Sequence, residues 1–179
     1  YQITFDQTSV GTDFLGTVVT IDGVTYSVNS LPTTPFWWDQ NSIHTFSYAS
    51  PLVVNSNRRY VWNSTSGLSN LKNGTLTITA SGSVVGNYIA QHLITFDQVG
   101  VGYDFSGTVV IIDGTPYSAL PISFNWSVGS LHNFAFQSPL IVGTNSKRYV
   151  WTSTTGLSTL RNGSITVSTA GSVIGDYKT

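Results

Sequence analysis

The sequence predicts an all-β fold of two tandem immunoglobulin-like β-sandwich domains, related by an internal duplication of about 90 residues. Three observations predict it. First, the chain of 179 residues aligns with itself: Ile3–Tyr26 matches Ile94–Tyr117 without gaps at 17 of 24 positions, and Arg58–Tyr88 matches Lys147–Tyr177 at 18 of 31. A solenoid unit would repeat every 20–50 residues or so, so this longer period is a domain duplication. Second, apolar and polar residues alternate in short runs, and no segment holds a 3.6-residue period for three turns. Third, Gly and Pro punctuate the chain at roughly the 8–12-residue spacing of a sandwich.

The elements follow in order. Each copy opens on the apolar–polar run ITFDQ, at Ile3–Gln7 and Ile94–Gln98. TVVTIDGVTYSV (Thr17–Val28) is two alternating runs around Asp22-Gly23, a pair that supplies the positive φ of a tight hairpin, and TVVIIDGTPYSA repeats it around Asp113-Gly114. The Leu31-Pro32 and Leu120-Pro121 pairs then lead to Trp37–Trp38 and to Asn125–Trp126. IHTFSYA (Ile43–Ala49) and LHNFAFQ (Leu131–Gln137) alternate as half-buried strands do. After SPL (Ser50–Leu52, Ser138–Leu140) and the RYVW runs, TLTITASGSVVGNYIA and SITVSTAGSVIGDYKT read as a further hairpin turning at Ser81-Gly82 and Ala170-Gly171. About seven short strands per copy make a sandwich.

Composition narrows the function. With 40% hydrophobic residues the chain can build cores, and with no run near the ~20 apolar residues of a membrane helix it carries no expected span. A net charge of −1 argues against a nucleic-acid partner held by its phosphates. Only 8% of residues are charged, against about 25% in ordinary domains, and no acid is Glu. The surface is therefore Ser, Thr, Asn and Gly, and without charge repulsion it needs another source of solubility or is meant to assemble. Absence of Cys excludes disulfides and thiol chemistry. The missing initiator Met fits an exported chain whose signal peptide has gone, and equally a trimmed one. Sequons at Asn63, Asn73, Asn125 and Asn162, two of them in matching NGT and NGS turns, favour export and N-glycans.

Candidate chemistry is sparse. His44 and His132 recur, but with no Cys, no Glu and no second His nearby they read as strand histidines bonded to a neighbour rather than as metal ligands; His92 is unshared. Asp6/Asp97, Asp13/Asp104 and Asp22/Asp113 also recur; the last pair belongs to its hairpin turns, and Asp13 and Asp104 suit bonds within their own loops. No stretch has the oxygen density of a calcium loop. Phe36, Trp37, Trp38, Phe124, Trp126, Trp62 and Trp151 invite a carbohydrate reading, yet a Trp shared by both copies belongs to a sandwich core, leaving Trp37 as the exception. There is no G-x-S-x-G elbow, and no lysine is shared between copies for an isopeptide bond: Lys72 meets Arg161, Lys147 meets Arg58, and Lys178 meets Ile89. No catalytic residue, metal or cofactor is expected.

The termini carry a further signal. GDYKT (Gly175–Thr179) followed by YQITFDQ (Tyr1–Gln7) reproduces the internal stretch GNYIAQHLITFDQ (Gly86–Gln98), with only Gln91 lacking an equivalent. Asn87–Gln98 contains no Gly or Pro, so it reads as strand rather than linker. If Ile94–Gln98 completes the first sandwich, the second lacks that strand, and Tyr1, Gln2, Ile3, Thr4, Phe5, Asp6 and Gln7 of the next molecule supply it by strand addition. If Ile3–Gln7 pairs within its own domain, each sandwich is self-contained. The expected organisation is a donor strand at 1–10, a first repeat at 11–91 and a second at 92–179, with 92–98 belonging either to its own repeat or to the first.

DFxGTVVxIDGxxY, the LP…W element, SPLxV, RYVWxSTxGLS and GSVxGNY together resemble a repeat widespread in secreted and cell-surface proteins of thermoacidophilic archaea. A two-repeat chain beginning at the ITF strand is similar to the subunit of archaeal threads, thin glycosylated surface filaments joined by donor-strand complementation. The resemblance covers nearly the whole chain. It implies a homopolymer in which Tyr1–Val10 is donated and residues near Gly171–Thr179 flank the acceptor groove, with glycans on the four sequons. It also implies an acid setting, where protonating eight Asp leaves seven Lys/Arg and three His, about +10, with few paired carboxylates to lose. The expected function is thus a structural subunit of an extracellular, cell-surface filament. The alternatives are an adhesive or carbohydrate-binding module of a larger surface protein and, third, an extracellular hydrolase fragment using His44 or Asp13.

Overall fold

The computed structural model describes residues 1–144 and 147–179, which divide into a first unit, Tyr1–Gln91, and a second, His92–Thr179. In the first unit the chain forms β1 (Gln2–Thr8), β2 (Thr17–Ile21), β3 (Val24–Ser27), a 3-10 turn (Val28–Ser30), β4 (Phe36–Trp37), β5 (Ile43–Tyr48), β6 (Leu52–Asn55), β7 (Arg58–Gly67), β8 (Asn73–Thr77) and the opening part of β9 (Gly82–Val99). The second unit takes the rest of β9 and adds β10 (Val110–Ile112), β11 (Thr115–Tyr117), β12 (Ile122–Ser127), β13 (Leu131–Phe136), β14 (Leu140–Val142), β15 (Lys147–Gly156), β16 (Asn162–Thr166) and β17 (Gly171–Lys178).

Each unit is a two-sheet sandwich. In the first, β4-β1-β9-β7-β6 faces β3-β2-β5-β8; in the second, β12-β9-β17-β15-β14 faces β11-β10-β13-β16. The Asp-Gly hairpins form as their sequence requires, with Asp22 and Gly23 at φ 46° and 82° and Asp113 and Gly114 at 46° and 80°. Alternation on β5 places Phe46 and Tyr48 inward, and β1 buries Ile3 and Phe5 completely.

The run from Thr75 to Ala90 is not a hairpin. β8 pairs with β5 in one sheet, while β9 pairs with β1 and β7 in the other. The chain leaves β8 through buried Ile78, whose N–H bonds Ser42 O and whose carbonyl accepts Asn41 N–H. β16 and β17 behave alike: β16 pairs with β13, and β17 with β15 and β9. A strand facing the core from either sheet has the same two-residue burial period, so periodicity alone could not separate a hairpin from a crossover.

Within the chain, the ITFDQ strand of the second repeat lies against that repeat. Ile94–Val99 runs parallel to Gly171–Asp176, and Ile94 and Phe96 are fully buried in the second core, so this strand belongs to the repeat it begins. The matching slot of the first unit is already taken: Ile3–Thr8 runs parallel to Gly82–Asn87, with Ile3 and Phe5 in that core. Residues 1–8 are therefore part of the first unit rather than a separate tail.

The tryptophans correct another expectation. The largest fully buried side chains are Tyr48, Tyr60, Tyr149, Phe5, Phe96 and Phe136. Trp38, Trp62, Trp126 and Trp151 are half-buried and pack against the cores from their margins. An indole needs a partner for its N–H; Trp62 Nε1 finds Thr65 Oγ1 and Trp151 Nε1 finds Thr154 Oγ1, both at 3.0 Å and both hydroxyls buried. Gly86 and Gly175 admit the ring of the facing strand. A Cβ at Gly86 would lie 2.5 Å from Tyr48, and one at Gly175 would lie 2.7 Å from Phe136.

Candidate functional site

Three sets of residues are candidates: the two filler strands, a duplicated Asp–His–Ser cluster, and the exposed sequons with Trp37. The first filler, β1, is held by more than its ladder. Phe5 N–H donates to Thr33 Oγ1 at 3.0 Å, Thr33 N–H donates to Phe5 O at 2.9 Å, and the Tyr1 ammonium donates to Trp38 O at 2.7 Å. Tyr48 Oη lies 2.9 Å from Asp6 O and 2.8 Å from Val84 O, tying β1 to β9; burial pushes that phenol well above the ordinary tyrosine value. The second unit has Phe136 in the corresponding place, so its filler lacks this tie. Gln7 folds back on Val10, taking its N–H at 2.8 Å and donating to its carbonyl at 3.2 Å, and Gln98 does the same with Val101.

The cluster joins residues the sequence reading had kept apart. His44 Nδ1 lies 2.6 Å from Asp22 Oδ2, and His44 Nε2 lies 3.0 Å from Ser42 Oγ. In the second unit His132 Nδ1 lies 2.7 Å from Asp113 Oδ2, and Ser130 Oγ lies 2.9 Å from His132 Nε2. Each imidazole lies flat on an indole, His44 on Trp38 at 3.5 Å between centroids and His132 on Trp126 at 3.6 Å, both with 4° between planes. Asp22 also accepts the Thr45 N–H at 2.7 Å, and Asp113 that of Asn133 at 2.8 Å, so each carboxylate locks the β2–β3 or β10–β11 turn to the neighbouring strand. Partial burial works to raise these carboxyls, but the His and main-chain N–H bonds outweigh it and hold both below the usual aspartate value.

The connectivity is that of a hydrolase triad; the proton directions are not. Ser42 Oγ donates to Asp39 O at 2.7 Å, and Ser130 Oγ donates to Ser127 O at 2.6 Å. A hydroxyl aimed at a main-chain carbonyl is not handing its proton to imidazole, which is what activation of a serine requires. Ser42 N–H is spent on the same carbonyl at 3.2 Å, so it is no oxyanion donor. The S-x-H spacing, present in both copies, was the signal that could have revealed the cluster.

Asp13 and Asp104 leave their loops as well. Tyr60 Oη donates to Asp13 Oδ1 at 2.7 Å and receives Arg58 Nη2 at 2.7 Å, while Arg58 Nε lies 3.2 Å from Asp13 Oδ2 without pointing its hydrogen along that line, a Coulombic contact only. In the second unit Lys147 Nζ donates to Asp104 Oδ2 at 2.8 Å and Tyr149 Oη to Oδ1 at 2.5 Å. The Lys147 bond, then that of Tyr149, keeps the Asp104 carboxyl low. Four of the eight aspartates, 13, 22, 104 and 113, thus have cationic or imidazole partners, which overturns the expectation of few paired carboxylates.

Asn63, Asn73, Asn125 and Asn162 are all exposed. Asn73 and Asn162 stand on the edge strands β8 and β16, and Asn125 on the edge strand β12. Trp37, the counterpart of Asn125, points outward and is 77% exposed. Among the described residues, no three metal-ligating side chains converge, and no helix is long and apolar enough to cross a membrane.

No family model matches the chain, and no curated protein does. One solved structure is similar over 99% of this chain and 97% of its own: "Streptococcal High Identity Repeats in Tandem (SHIRT) domains 3-4 from cell surface protein", at 15% identity and a TM-score of 0.28. A superposition that loose transfers nothing to this chain.

Proposed function

We propose that the chain is a structural subunit of an extracellular, cell-surface filament, joining head to tail with copies of itself by passing Tyr1–Gln7 to the C-terminal unit of the adjacent copy. One observation carries the reading. The two ITFDQ strands occupy equivalent parallel slots in the same register, Ile3 against Gly82 and Ile94 against Gly171. A strand that fits one slot fits the other; because Ile94–Val99 of the same chain fills the second slot, donation must displace it, and the incoming Tyr1–Gln7 replaces its main-chain bonds and its two buried apolar side chains with the same set. The hinge supports it: Ser9 sits at φ 73°, where the second repeat has Gly100 at 96°, and opening relieves the strain of a non-glycine there. The Thr33 and Tyr48 ties oppose it, so exchange requires prior opening of the first unit. Such a contact is heterologous, and it extends into an open filament unless the rotation between copies closes a ring. The filament carries no catalysis and no cofactor, the Asp–His–Ser clusters serve as turn clamps, and glycans on the exposed sequons supply the solubility that charge does not.

Paired cysteines test the route, since the chain has none of its own. Thr8 pairs with Asn87, and Asp176 holds the place of Asn87 in the second unit. The Thr8→Cys/Asp176→Cys chain is expected to give a ladder of disulfide-linked oligomers on a non-reducing gel; monomer alone at high concentration refutes strand donation. Trp37 favours a second reading, an adhesive or carbohydrate-binding module. Quenching of its fluorescence by a soluble glycan, lost in Trp37→Phe, decides for that one.

A further inference from the structure

The edge of a sheet presents unpaired main-chain groups on which another chain can add a strand, and most domains blunt it with charge, above all with lysine. That device is missing here. Among the described residues the four sheet layers end on eight edge strands, β3, β4, β6, β8, β11, β12, β14 and β16, and none of them contains Asp, Lys or Arg. Five are short, two to four residues long, and Pro116 on β11 has no N–H to offer. The three long ones are β12, with six residues, and β8 and β16, with five each. Each of those three holds a sequon asparagine, Asn125, Asn73 or Asn162, and no shorter edge strand does.

Main-chain direction places two of these sequons more closely. Lys72 O accepts the Tyr48 N–H at 2.9 Å and Ile78 N–H donates to Ser42 O at 3.0 Å, so the alternate residues Lys72 to Ile78 bond β5. Asn73, Thr75 and Thr77, between them, turn their N–H and C=O away from the sheet. On β16, Arg161 O accepts the Phe136 N–H at 3.0 Å and Val167 N–H donates to Ser130 O at 2.9 Å, which leaves Asn162, Ser164 and Thr166 facing out. An N-x-S/T motif has the two-residue step of a strand, so both of its recognised residues fall on the open edge. We propose that N-linked sugars at Asn73, Asn125 and Asn162 are edge guards, each barring a second chain from adding a strand to the sheet it borders. This rests on the reading that these sequons are glycosylated, and it gives the sugars a placed role beyond solubility. The next strand of a sheet would lie about 4.8 Å away, and a hydrated glycan at the rim takes up that space as lysine does elsewhere. Strand donation is left open, because its slot lies inside a sheet, between β12 and β17.

The placement of added lysines tests this on the intact chain, made in a host that attaches no N-glycans. The bare wild type is expected to form insoluble, thioflavin-positive material with the ~4.8 Å repeat of paired strands, and the glycosylated chain at the same concentration is not. Asn73→Lys/Asn125→Lys/Asn162→Lys puts charge on the three edges and raises the onset concentration about tenfold or more. Thr75→Lys/Ser164→Lys serves if that chain does not fold. Gln40→Lys/Asn70→Lys/Thr159→Lys adds the same charge at exposed loop positions and leaves the onset within about twofold of the bare wild type. Three results overturn the proposal: a bare wild type as dispersed as the glycosylated chain, edge and loop lysines equal in effect, or unmodified Asn73, Asn125 and Asn162 in the chain from its native cells. Equal lysine sets with glycosylated sites keep the sugars as a source of solubility and remove the edge role. A Thr8→Cys/Asp176→Cys ladder without an edge-lysine effect keeps strand donation alone; the edge-lysine effect on a glycosylated chain that gives no ladder does the reverse.

Discussion

Phe5→Ala is the sharpest test of where the N-terminal strand resides. Phe5 is fully buried, and its ring lies 5.9 Å from Phe46 and 6.2 Å from both Phe36 and Trp38, so it joins β1 to β4 and to the opposite sheet. Removing a buried phenylalanine costs about 3–5 kcal/mol in lost transfer energy and residual cavity. A domain of this size holds roughly 5–15 kcal/mol in all, so the first unit loses a large part of its stability. At about 4–8 °C per kcal/mol for domains of 60–100 residues, its melting point falls by ~12–40 °C. The second unit has its own buried cluster around Phe96, so its transition stays where it is. Differential scanning calorimetry of dilute chain is expected to show one transition displaced downward and one unmoved, with Phe96→Ala giving the opposite pattern. Two unmoved transitions in Phe5→Ala refute the placement of β1 in the first unit, and displacement of the other transition places the strand in the C-terminal slot.

Three further outcomes are expected. The Asp22 and Asp113 carboxyls are depressed in the folded state, so their stabilisation is complete above the ordinary aspartate value of about 4 and is lost as pH falls through their lower folded values. Melting temperature against pH should therefore drop on the acid side, and Asp22→Asn with Asp113→Asn should flatten that drop; an unchanged slope contradicts the assignment. Gly86→Ala drives a methyl into the Tyr48 ring and should cost the first unit about 1–3 kcal/mol, read from urea midpoints, whereas Gly23→Ala, with open space around it, acts through its positive φ alone. Intact-mass and peptide mapping of the chain isolated from its native cells should find glycan on the edge-strand sites Asn73, Asn125 and Asn162, and unmodified peptides at all three would remove glycans as the proposed source of solubility.

Much of the fold was legible because strand alternation and turn chemistry are local. The Asp22-Gly23 hairpin needs positive φ at both residues, and no distant partner is involved in that requirement. What escaped was set by contacts across long stretches of chain. Val84 and Leu76 both face inward, but from opposite sheets, and no local pattern says which. The two slots for ITFDQ were likewise visible as a question and not as an answer, since the sequence of the strand is the same in both repeats. His44 reaches Asp22 only because β2 and β5 are neighbours; the recurrence of Ser42-x-His44 as Ser130-x-His132 was a legible trace of that cluster. Trp38 and Trp126 looked like core residues by their recurrence, whereas each is held at the margin by the imidazole stacked on it.

A duplicated chain offers its own control, because both repeats solve the same folding problem. Features present in both, such as the parallel filler ladders, the Asp–His–Ser clusters and the glycines beneath Tyr48 and Phe136, are what any copy needs to be a stable sandwich. They would persist whether the chain assembled or not. Differences between the copies are relieved of that requirement, as at Trp37, which is exposed where the second repeat has the sequon residue Asn125. The 3-10 turn of Val28–Ser30 is another, and Val28 packs there against the core of the first unit. Ser9 is a further departure: where the second repeat keeps the relaxed Gly100, the first accepts a non-glycine at positive φ in the turn that follows its ITFDQ strand.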